Sequence, residues 1–287
     1  MLYETSIINT SLETTQSIKV NADYFFECPC YDHYEKPRGL ALIINNDYFG
    51  GQEEDRNGSE MDLGAVSELL RDSLGYRVTF RINLSRERML AAAKDFANDC
   101  KKSQCQSCVV VVMSHGRLGE IRAAGSSHLF IGEDEFIEPI VKCDALQNKP
   151  KFFIFQACRA VNPGHESPTN VGFPRAYNDT VVLHSCQQGT SSIRREDGTP
   201  FIQALCKIFS KCSHESWADV KRLACCVIDQ VAQDSSQSTA LQNIPQVPML
   251  VTSGLSKKFH FFPVEYIVHS SRYNLYGELE GAWITGC

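Results

Sequence analysis

The sequence has no long apolar run and no block of basic residues. No hydrophobic stretch approaches the ~20 residues that a membrane-spanning helix needs. The first residues, MLYETSIINT, lack the basic start and apolar core of a secretory signal. The net charge is only −6 and lysine and arginine are dispersed, so neither nucleic acid nor a membrane is expected as a partner. A cytoplasmic or nuclear protein is therefore predicted.

Cysteine, by contrast, is abundant, with 13 residues. In a reducing compartment the default is a free, buried thiol. We expect this of three cysteines in helix-like segments, Cys206, Cys225 and Cys226. Cys100, Cys105 and Cys108 have a C-x4-C-x2-C spacing that is also found around metals and clusters. Because no fourth cysteine completes the set and Cys108 opens the strand-like run CVVVVM, no metal or other cofactor is predicted.

Apolar runs alternate with helix-like segments along the chain. GLALIIN from Gly39, CVVVVM from Cys108 and KFFIF from Lys151 are typical of strands that are buried on both faces. Helices are predicted from Ser59 and over 85–101, 133–141, 201–209 and 216–233, and further strands over 76–82, 181–185, 247–252 and 259–262. Ser59 and Asp62 form a capping pattern at the first helix. The alternation predicts an α/β fold with a mostly parallel sheet.

Two polar groups follow neighbouring apolar runs in this pattern: SHG at 114–116 and QACR at 156–159. If the two strands are adjacent, His115 and Cys158 emerge at the same edge of the sheet. An imidazole there can take the thiol proton. The N–H groups of Gly116 and Cys158 can then bind an oxyanion. From the residues alone, a structural histidine and a buried packing cysteine remain equally open.

SHG and QACR resemble the two active-site motifs of the caspases, the aspartate-directed cysteine proteases. The similarity runs from about Tyr31 to Pro263. It includes PRGLALIINNDYF from Pro37, DRNGSEMD from Asp55, KPKFFIFQACR from Lys149, SSIRREDGTPFIQALC from Ser191 and KKFHFFP from Lys257. The resemblance implies a caspase-like α/β fold, with a central, mostly parallel, six-stranded sheet between helices.

The same resemblance implies how the chain is organised. It consists of a leader over 1–30, a large-subunit part over 31–159, an inter-subunit linker over 160–178, a small-subunit part over 179–263 and a C-terminal extension over 264–287. A leader of this length is too short for a recruitment domain. The extension is either a docking peptide or a disordered tail.

Carried over residue by residue, the resemblance also implies roles in catalysis. His115 is the general acid/base, Cys158 the nucleophile, and Gly116 and Cys158 form the oxyanion hole. The pocket for the substrate's P1 aspartate consists of Arg56, Gln156 and Arg194, and the substrate loop includes Ser192, Ile193 and Arg195. Guanidinium groups bind carboxylates bidentately and are left buried and unpaired by a basic or apolar P1 residue, so such a pocket favours aspartate.

The sequence departs from the caspase pattern at several positions. Ala160 stands where glycine usually follows Cys-Arg, and Ile193 replaces the tryptophan of Ser-Trp-Arg. Pro200 replaces an aromatic residue, and Arg195 competes with Arg194 for the pocket role. Because the altered residues shape the pockets for the second and fourth substrate residues, we expect a shifted preference at those positions.

Activation is expected to differ as well. The 160–178 linker contains no aspartate at which caspases are commonly cut. Asp179 is the nearest candidate but lies where a strand should begin, which favours a structural role, and Asp23 is a candidate for leader removal. Two kinds of activation are therefore predicted as alternatives: the zymogen acts as a single chain after dimerisation, or it is cut by a different protease.

Three functions are compatible with these observations. The first is an active endopeptidase in apoptosis or a related pathway, acting on proteins as a homodimer or as a heterodimer with another caspase. The second is a weakly active or inactive homologue that binds and regulates other caspases, which the departures favour. The third is a relative with a basic P1 preference, which Arg56 and Arg194 disfavour because such enzymes need acidic groups in the pocket.

Overall fold

The computed structural model describes residues 29–31, 37–51, 53–161, 177–195, 197–236 and 246–262. Asp23, most of the leader and linker, and the C-terminal extension lie outside these residues. Within the described ranges, no helix combines the length and apolar character needed to cross a bilayer.

A six-stranded sheet forms the centre of the fold. Its strands are β1 (Leu40–Asn45), β2 (Arg77–Ile82), β3 (Cys108–Met113), β7 (Lys151–Gln156), β8 (Thr180–His184) and β9 (Met249–Ser253), in the order β2-β1-β3-β7-β8-β9. Only β9 runs antiparallel to its neighbour, so the predicted mostly parallel sheet is confirmed. A second, three-stranded sheet, which we did not predict, follows β3 and consists of β4 (Gly116–Arg117), β5 (Glu120–Arg122) and β6 (Phe130–Gly132).

Helices cover both faces of the sheet. They are α1 (Ser59–Glu68, continued by a π turn over Leu69–Ser73), α2 (Arg86–Ser103), α3 (Glu133–Val141), α4 (Pro200–Cys212) and α5 (Val220–Ser236). In β3, Val109 and Val111 pack into the core shared with α1, α4 and α5, whereas Val110 and Val112 pack towards α2 and α3. Because both faces are covered there, the inner strands β1, β3, β7 and β8 are buried at every position rather than at alternate ones, whereas the edge strand β2 is largely exposed.

The predicted strand over 259–262 is wrong. Phe259 and Phe261 are buried in the core with α4 and α5, where the Phe261 ring lies 5.8 Å from that of Phe209. The carbonyl of Phe259 accepts a hydrogen bond from the N–H of Val220 at the start of α5. The alternating phenylalanines are therefore buried against helices rather than by pairing with a sheet neighbour.

The predicted capping pattern is also wrong, although α1 does begin at Ser59. Its N-cap is Gly58, and no side chain caps it. The Ser59 hydroxyl instead accepts from Asn45 Nδ2 at 3.1 Å. Asp62 Oδ1 accepts from the N–H of Thr199 at 2.9 Å. Both side chains therefore accept hydrogen bonds from residues outside α1 instead of from the free N–H groups at its N-terminus.

The cysteines are free thiols in the described part of the chain. Cys100, Cys105 and Cys108 are buried in the core under α2. No group of three or more metal-ligating side chains comes together within the described ranges. The predicted burial of Cys225 is wrong, because this residue lies on the solvent side of α5.

Asp179, a candidate processing site, lies immediately before β8 in a left-handed conformation with φ 55°. Its carboxylate is buried and accepts a hydrogen bond from the Tyr31 hydroxyl at 2.6 Å. Its backbone carbonyl accepts from the N–H of Lys151. A protease would have to break these contacts to reach the bond after Asp179.

We expect Tyr31→Phe to lower the free energy of unfolding by about 1.5–3 kcal/mol, since it removes a hydrogen bond to a buried carboxylate. Urea denaturation of both proteins measures this difference. Tyr48→Phe is the matched control, because Tyr48 is 56% exposed, and we expect it to change stability by less than about 0.5 kcal/mol. Equal stabilities of Tyr31→Phe and the parent would show that the Asp179 contact contributes nothing.

Candidate active site

The ends of β3 and β7 bring the two polar motifs to one edge of the sheet. The strands are parallel neighbours, and Met113 lies opposite Gln156. The pairing continues with a hydrogen bond from the N–H of Ser114 to the carbonyl of Gln156 at 3.1 Å. His115 and Cys158 each lie two positions beyond the last paired residues. The structure therefore brings both residues to the same edge, as predicted from their positions after the strands.

Gly116 lies against the backbone of the QACR motif. A Cβ atom added there would lie 2.8 Å from the Cys158 carbonyl oxygen, 2.9 Å from Ala157 Cβ and 3.0 Å from the Glu120 carbonyl oxygen. Only glycine fits between these atoms, because real Cβ atoms do not approach other heavy atoms so closely. The close approach brings the backbone after His115 beside the backbone of Cys158.

His115 is oriented by the loop that follows β1. Its Nε2 lies 2.7 Å from the Glu54 carbonyl oxygen, and its ring lies 4.6 Å from that of Phe49. Because a carbonyl only accepts, Nε2 carries the proton and Nδ1 is the basic atom of the neutral ring. Burial lowers the pKa of His115, and the charges of Arg194 and Arg56 lower it further.

The Cys158 sulfur lies under the substrate loop. The N–H of Ser192 donates to Sγ at 3.4 Å, and Sγ lies 3.9 Å from the Ser192 carbonyl oxygen. Among the described residues, no hydrogen bond joins the Cys158 thiol to the His115 imidazole. The two residues therefore share an edge without a hydrogen bond between their side chains in this arrangement.

A pair of arginines gives this edge a positive charge. Arg56 is buried, and its Nη1 donates to Asn45 Oδ1 at 3.0 Å and to the Asn46 carbonyl at 3.1 Å. Burial, together with the charge of Arg194, lowers the pKa of Arg56 to about 10. The charge of Asp62, a site residue that we did not predict, acts in the opposite direction. Arg56 remains protonated at neutral pH, so the site holds two mutually repelling cations.

Gln156 contacts the substrate loop through Ser192. The Ser192 hydroxyl accepts from Gln156 Nε2 at 2.8 Å and from Gln246 Nε2 at 3.1 Å. Gln246 Oε1 also accepts from the N–H of Ile193 at 2.8 Å. Gln246 thus fixes the substrate loop although it is not part of that loop. We did not predict this residue, because a single glutamine before an apolar run gives no recognisable signal in the sequence.

The structure separates the two arginines that compete for the pocket. Arg194 is half-buried and acts electrostatically on Arg56, whereas Arg195 is exposed. Arg195 forms a tight backbone bridge with Gly198. The loop then ends at Pro200, the first residue of α4. This geometry favours Arg194 as the pocket residue.

Alanine is tolerated at position 160. Ala160 is not among the described residues with a positive φ, so its backbone does not require glycine. Its carbonyl accepts a hydrogen bond from the N–H of Leu118 at 3.2 Å. The missing glycine therefore does not strain the chain after Cys158.

The residues of the candidate active site all lie within a segment that matches a family model. The family model of the caspase domain matches residues 38–260. The chain belongs to the caspase family. The chain is also similar to the crystal structure of caspase-1 from Spodoptera frugiperda, with a TM-score of 0.69, 28% identity, and coverage of 83% of this chain and 95% of that one.

Curated proteins from several animals are similar over most of the matched region. Caspase a of Danio rerio is 30% identical over 243 residues, which are 78% of this chain and 62% of that protein. Caspase-2 of Gallus gallus is 31% identical over 212 residues, 65% of this chain and 50% of that protein. Cell death protein 3 of Caenorhabditis remanei is 29% identical over 276 residues, 83% of this chain and 53% of that protein. The chain thus spans between half and two thirds of the length of these relatives.

Proposed function

We propose that the chain is a cysteine endopeptidase that cleaves proteins after aspartate. The observation that carries this proposal is the pair of arginines beside Cys158. Arg56 is buried, and Arg194 is close enough to lower its pKa. A carboxylate bound between the two guanidinium groups would neutralise their repulsion and accept bidentate hydrogen bonds. A lysine or arginine at P1 would add a third cation.

In the proposed reaction the Cys158 thiolate attacks the carbonyl carbon of the P1 residue. The tetrahedral oxyanion accepts hydrogen bonds from the N–H groups of Gly116 and Cys158. His115 takes the thiol proton and returns it to the leaving amine. The resulting thioester is hydrolysed by a water that His115 deprotonates, which regenerates the thiol.

The arginine pocket predicts a specific pair of effects. We expect Arg194→Ala to lower kcat/KM for a peptide with P1 aspartate by about 30–100-fold. This is near the lower end of the effects seen when one partner of a buried charge pair is removed, because Arg56 still binds the carboxylate. Arg195→Ala should change it by less than about threefold, since Arg195 is exposed. Steady-state kinetics with a fluorogenic peptide measure both. The reverse order of effects would assign the pocket role to Arg195.

The biological role that we propose follows the relatives. One of them is named cell death protein 3, which supports a role in apoptosis or a related signalling pathway of the cytoplasm.

Strand β9 has one neighbour, β8, in the described sheet. Its other edge can pair with a second copy or with another caspase. A zymogen that dimerisation activates fits an Asp-free linker.

One observation favours the second candidate function, a caspase homologue that regulates other caspases. The backbone of Ser192 lies over the Cys158 sulfur, and Gln246 holds Ser192 and Ile193 in that place. In a chain that keeps this arrangement, the loop would obstruct the nucleophile. Such a chain would regulate another caspase by binding to it, without cleaving a substrate itself.

Labelling with an irreversible aspartyl ketone tests the proposal. We expect one equivalent of the probe on Cys158, located by peptide mass spectrometry, and no labelling by the matched arginyl ketone. High protein concentration and a kosmotropic salt favour dimers and therefore give the reaction its best conditions. If Cys158 stays unlabelled under these conditions, the regulatory function replaces the enzymatic one. Labelling by the arginyl probe instead would contradict the pocket assignment.

A further inference from the structure

The Glu53 carboxylate lies among three basic side chains beside the candidate active site. Glu53 Oε1 is 3.2 Å from Arg122 Nε and 3.4 Å from His128 Nδ1. Glu53 Oε2 is 4.0 Å from His115 Nε2. The carboxylate is therefore next to the imidazole nitrogen that donates to the Glu54 carbonyl.

Arg122 holds this carboxylate in place. Its side chain is completely buried and donates to the carbonyls of Ala123, Leu129 and Gly125. Its guanidinium lies over the ring of Phe49, the same ring that packs against His115. A buried cation is stable only with a charged or strongly polar partner, so Arg122 gives Glu53 a fixed anchor rather than the freedom of a surface glutamate.

We propose that Glu53 is a positioning residue for His115. Its carboxylate holds the imidazole with the Nε2 proton directed to the loop after β1, leaves Nδ1 as the basic atom, and stabilises the imidazolium. The inference deepens the proposed endopeptidase function and rests on it. Glu53 reaches the reaction only through His115.

The other charges around His115 make the Glu53 carboxylate important for the protonation of the imidazole. Arg56 and Arg194 both disfavour the imidazolium, as does burial beside Phe49. The Glu54 carbonyl and the Glu53 carboxylate favour it. His128 contacts Glu53 and is mostly exposed. Without Glu53, the Glu54 carbonyl is the one group named here among the described residues that would still favour the imidazolium against the two cations.

The first test is a titration that needs no turnover. His115 is followed by NMR in the Cys158→Ala protein, where no thiol titrates beside it, with and without Glu53→Gln. We expect Glu53→Gln to lower the His115 pKa by about 0.5–1 unit, because loss of a nearby anion disfavours the protonated ring. An unchanged pKa would overturn the proposal. Because this reading is independent of catalysis, it stands even if the protein proves to have no peptidase activity.

The second test is kinetic and uses the protein with Cys158 intact. We expect Glu53→Gln to lower kcat by about tenfold while KM stays within about twofold, since the substrate pocket is untouched. The matched control is Glu60→Gln, which removes the same charge from an exposed position on α1 and should leave kcat and KM unchanged. A Glu53→Gln protein with the parent's kcat would contradict the positioning role.

Glu53→Asp keeps the experiment decisive if Glu53→Gln does not fold. The shorter side chain leaves Arg122 an anion but withdraws the carboxylate from His115 by one methylene. We expect a pKa and a kcat between those of the parent and Glu53→Gln. Parental values in Glu53→Asp, combined with a misfolded Glu53→Gln, would show that Glu53 serves only to pair Arg122.

Discussion

Cys158→Ala should lower kcat for a P1-aspartate peptide by ~10⁵–10⁶-fold, the loss that follows removal of a catalytic nucleophile. Cys186, two positions beyond the end of β8, also lies at this edge, but it is buried and its Sγ donates to the carbonyls of Ala157 and Thr190 at 3.5 Å, so it does not replace Cys158. Alanine leaves the arginine pocket and the Gly116 backbone intact, so substrate still binds. The measurement is single-turnover cleavage at high enzyme concentration, with peptide affinity measured separately.

Cys225→Ala is the matched control, because Cys225 is an exposed thiol on α5, far along the chain from either motif. We expect it to retain parental kcat and KM. Activity in Cys158→Ala above about 1% of the parent would mean that another group is the nucleophile. Full activity loss in Cys225→Ala would mean that a substitution outside the site also abolishes activity, so that the loss in Cys158→Ala would not identify the nucleophile.

Gly116→Ala is expected to lower kcat by about 10³-fold and the free energy of unfolding by about 1–3 kcal/mol. The new Cβ would meet the Cys158 and Glu120 carbonyl oxygens and Ala157 Cβ at 2.8–3.0 Å. These are backbone or Cβ atoms, which cannot rotate away, so the backbone that carries the proposed oxyanion donors must shift. Kinetics corrected for the folded fraction, together with urea denaturation, measure both effects.

Gly64→Ala is the control for a glycine-to-alanine change as such. Gly64 lies within α1, and nothing stands within 4 Å of an added Cβ. Alanine should therefore stabilise the helix by up to about 1 kcal/mol and leave catalysis unchanged. If Gly116→Ala also keeps kcat within tenfold of the parent, the Gly116 N–H is not an oxyanion donor.

The fold and the edge on which the site stands could be predicted from local pattern. The apolar runs of β1, β3 and β7 indicated strands buried on both faces, and the turn to polar residues after Met113 and Gln156 marked their carboxyl ends. These features follow from burial and backbone geometry within a few residues, so they can be read from a single sequence. Family resemblance added the pocket arginines, which no local pattern distinguishes from exposed ones.

Patterns that depend on distant partners misled sequence reasoning. Ser59 and Asp62 have the spacing of a helix cap, but their oxygens accept from Asn45 and from Thr199, 137 residues away in the case of Thr199. The alternating Phe259 and Phe261 have the period of a strand, but helices rather than a neighbouring strand bury them. The fold decides which groups lie next to a hydrogen-bonding or apolar side chain, and these groups can be distant in the sequence.

The sequence by itself determined the family, the order of the strands' apolar runs, and the presence of His115 and Cys158 after two of them. Only the tertiary structure decided that Arg194 rather than Arg195 lies near Arg56, and that Gln246 holds the substrate loop. It also placed Glu53 beside His115 through the buried Arg122. Composition and period encode which residues are buried, whereas contacts among polar side chains are set by where packing brings their backbones.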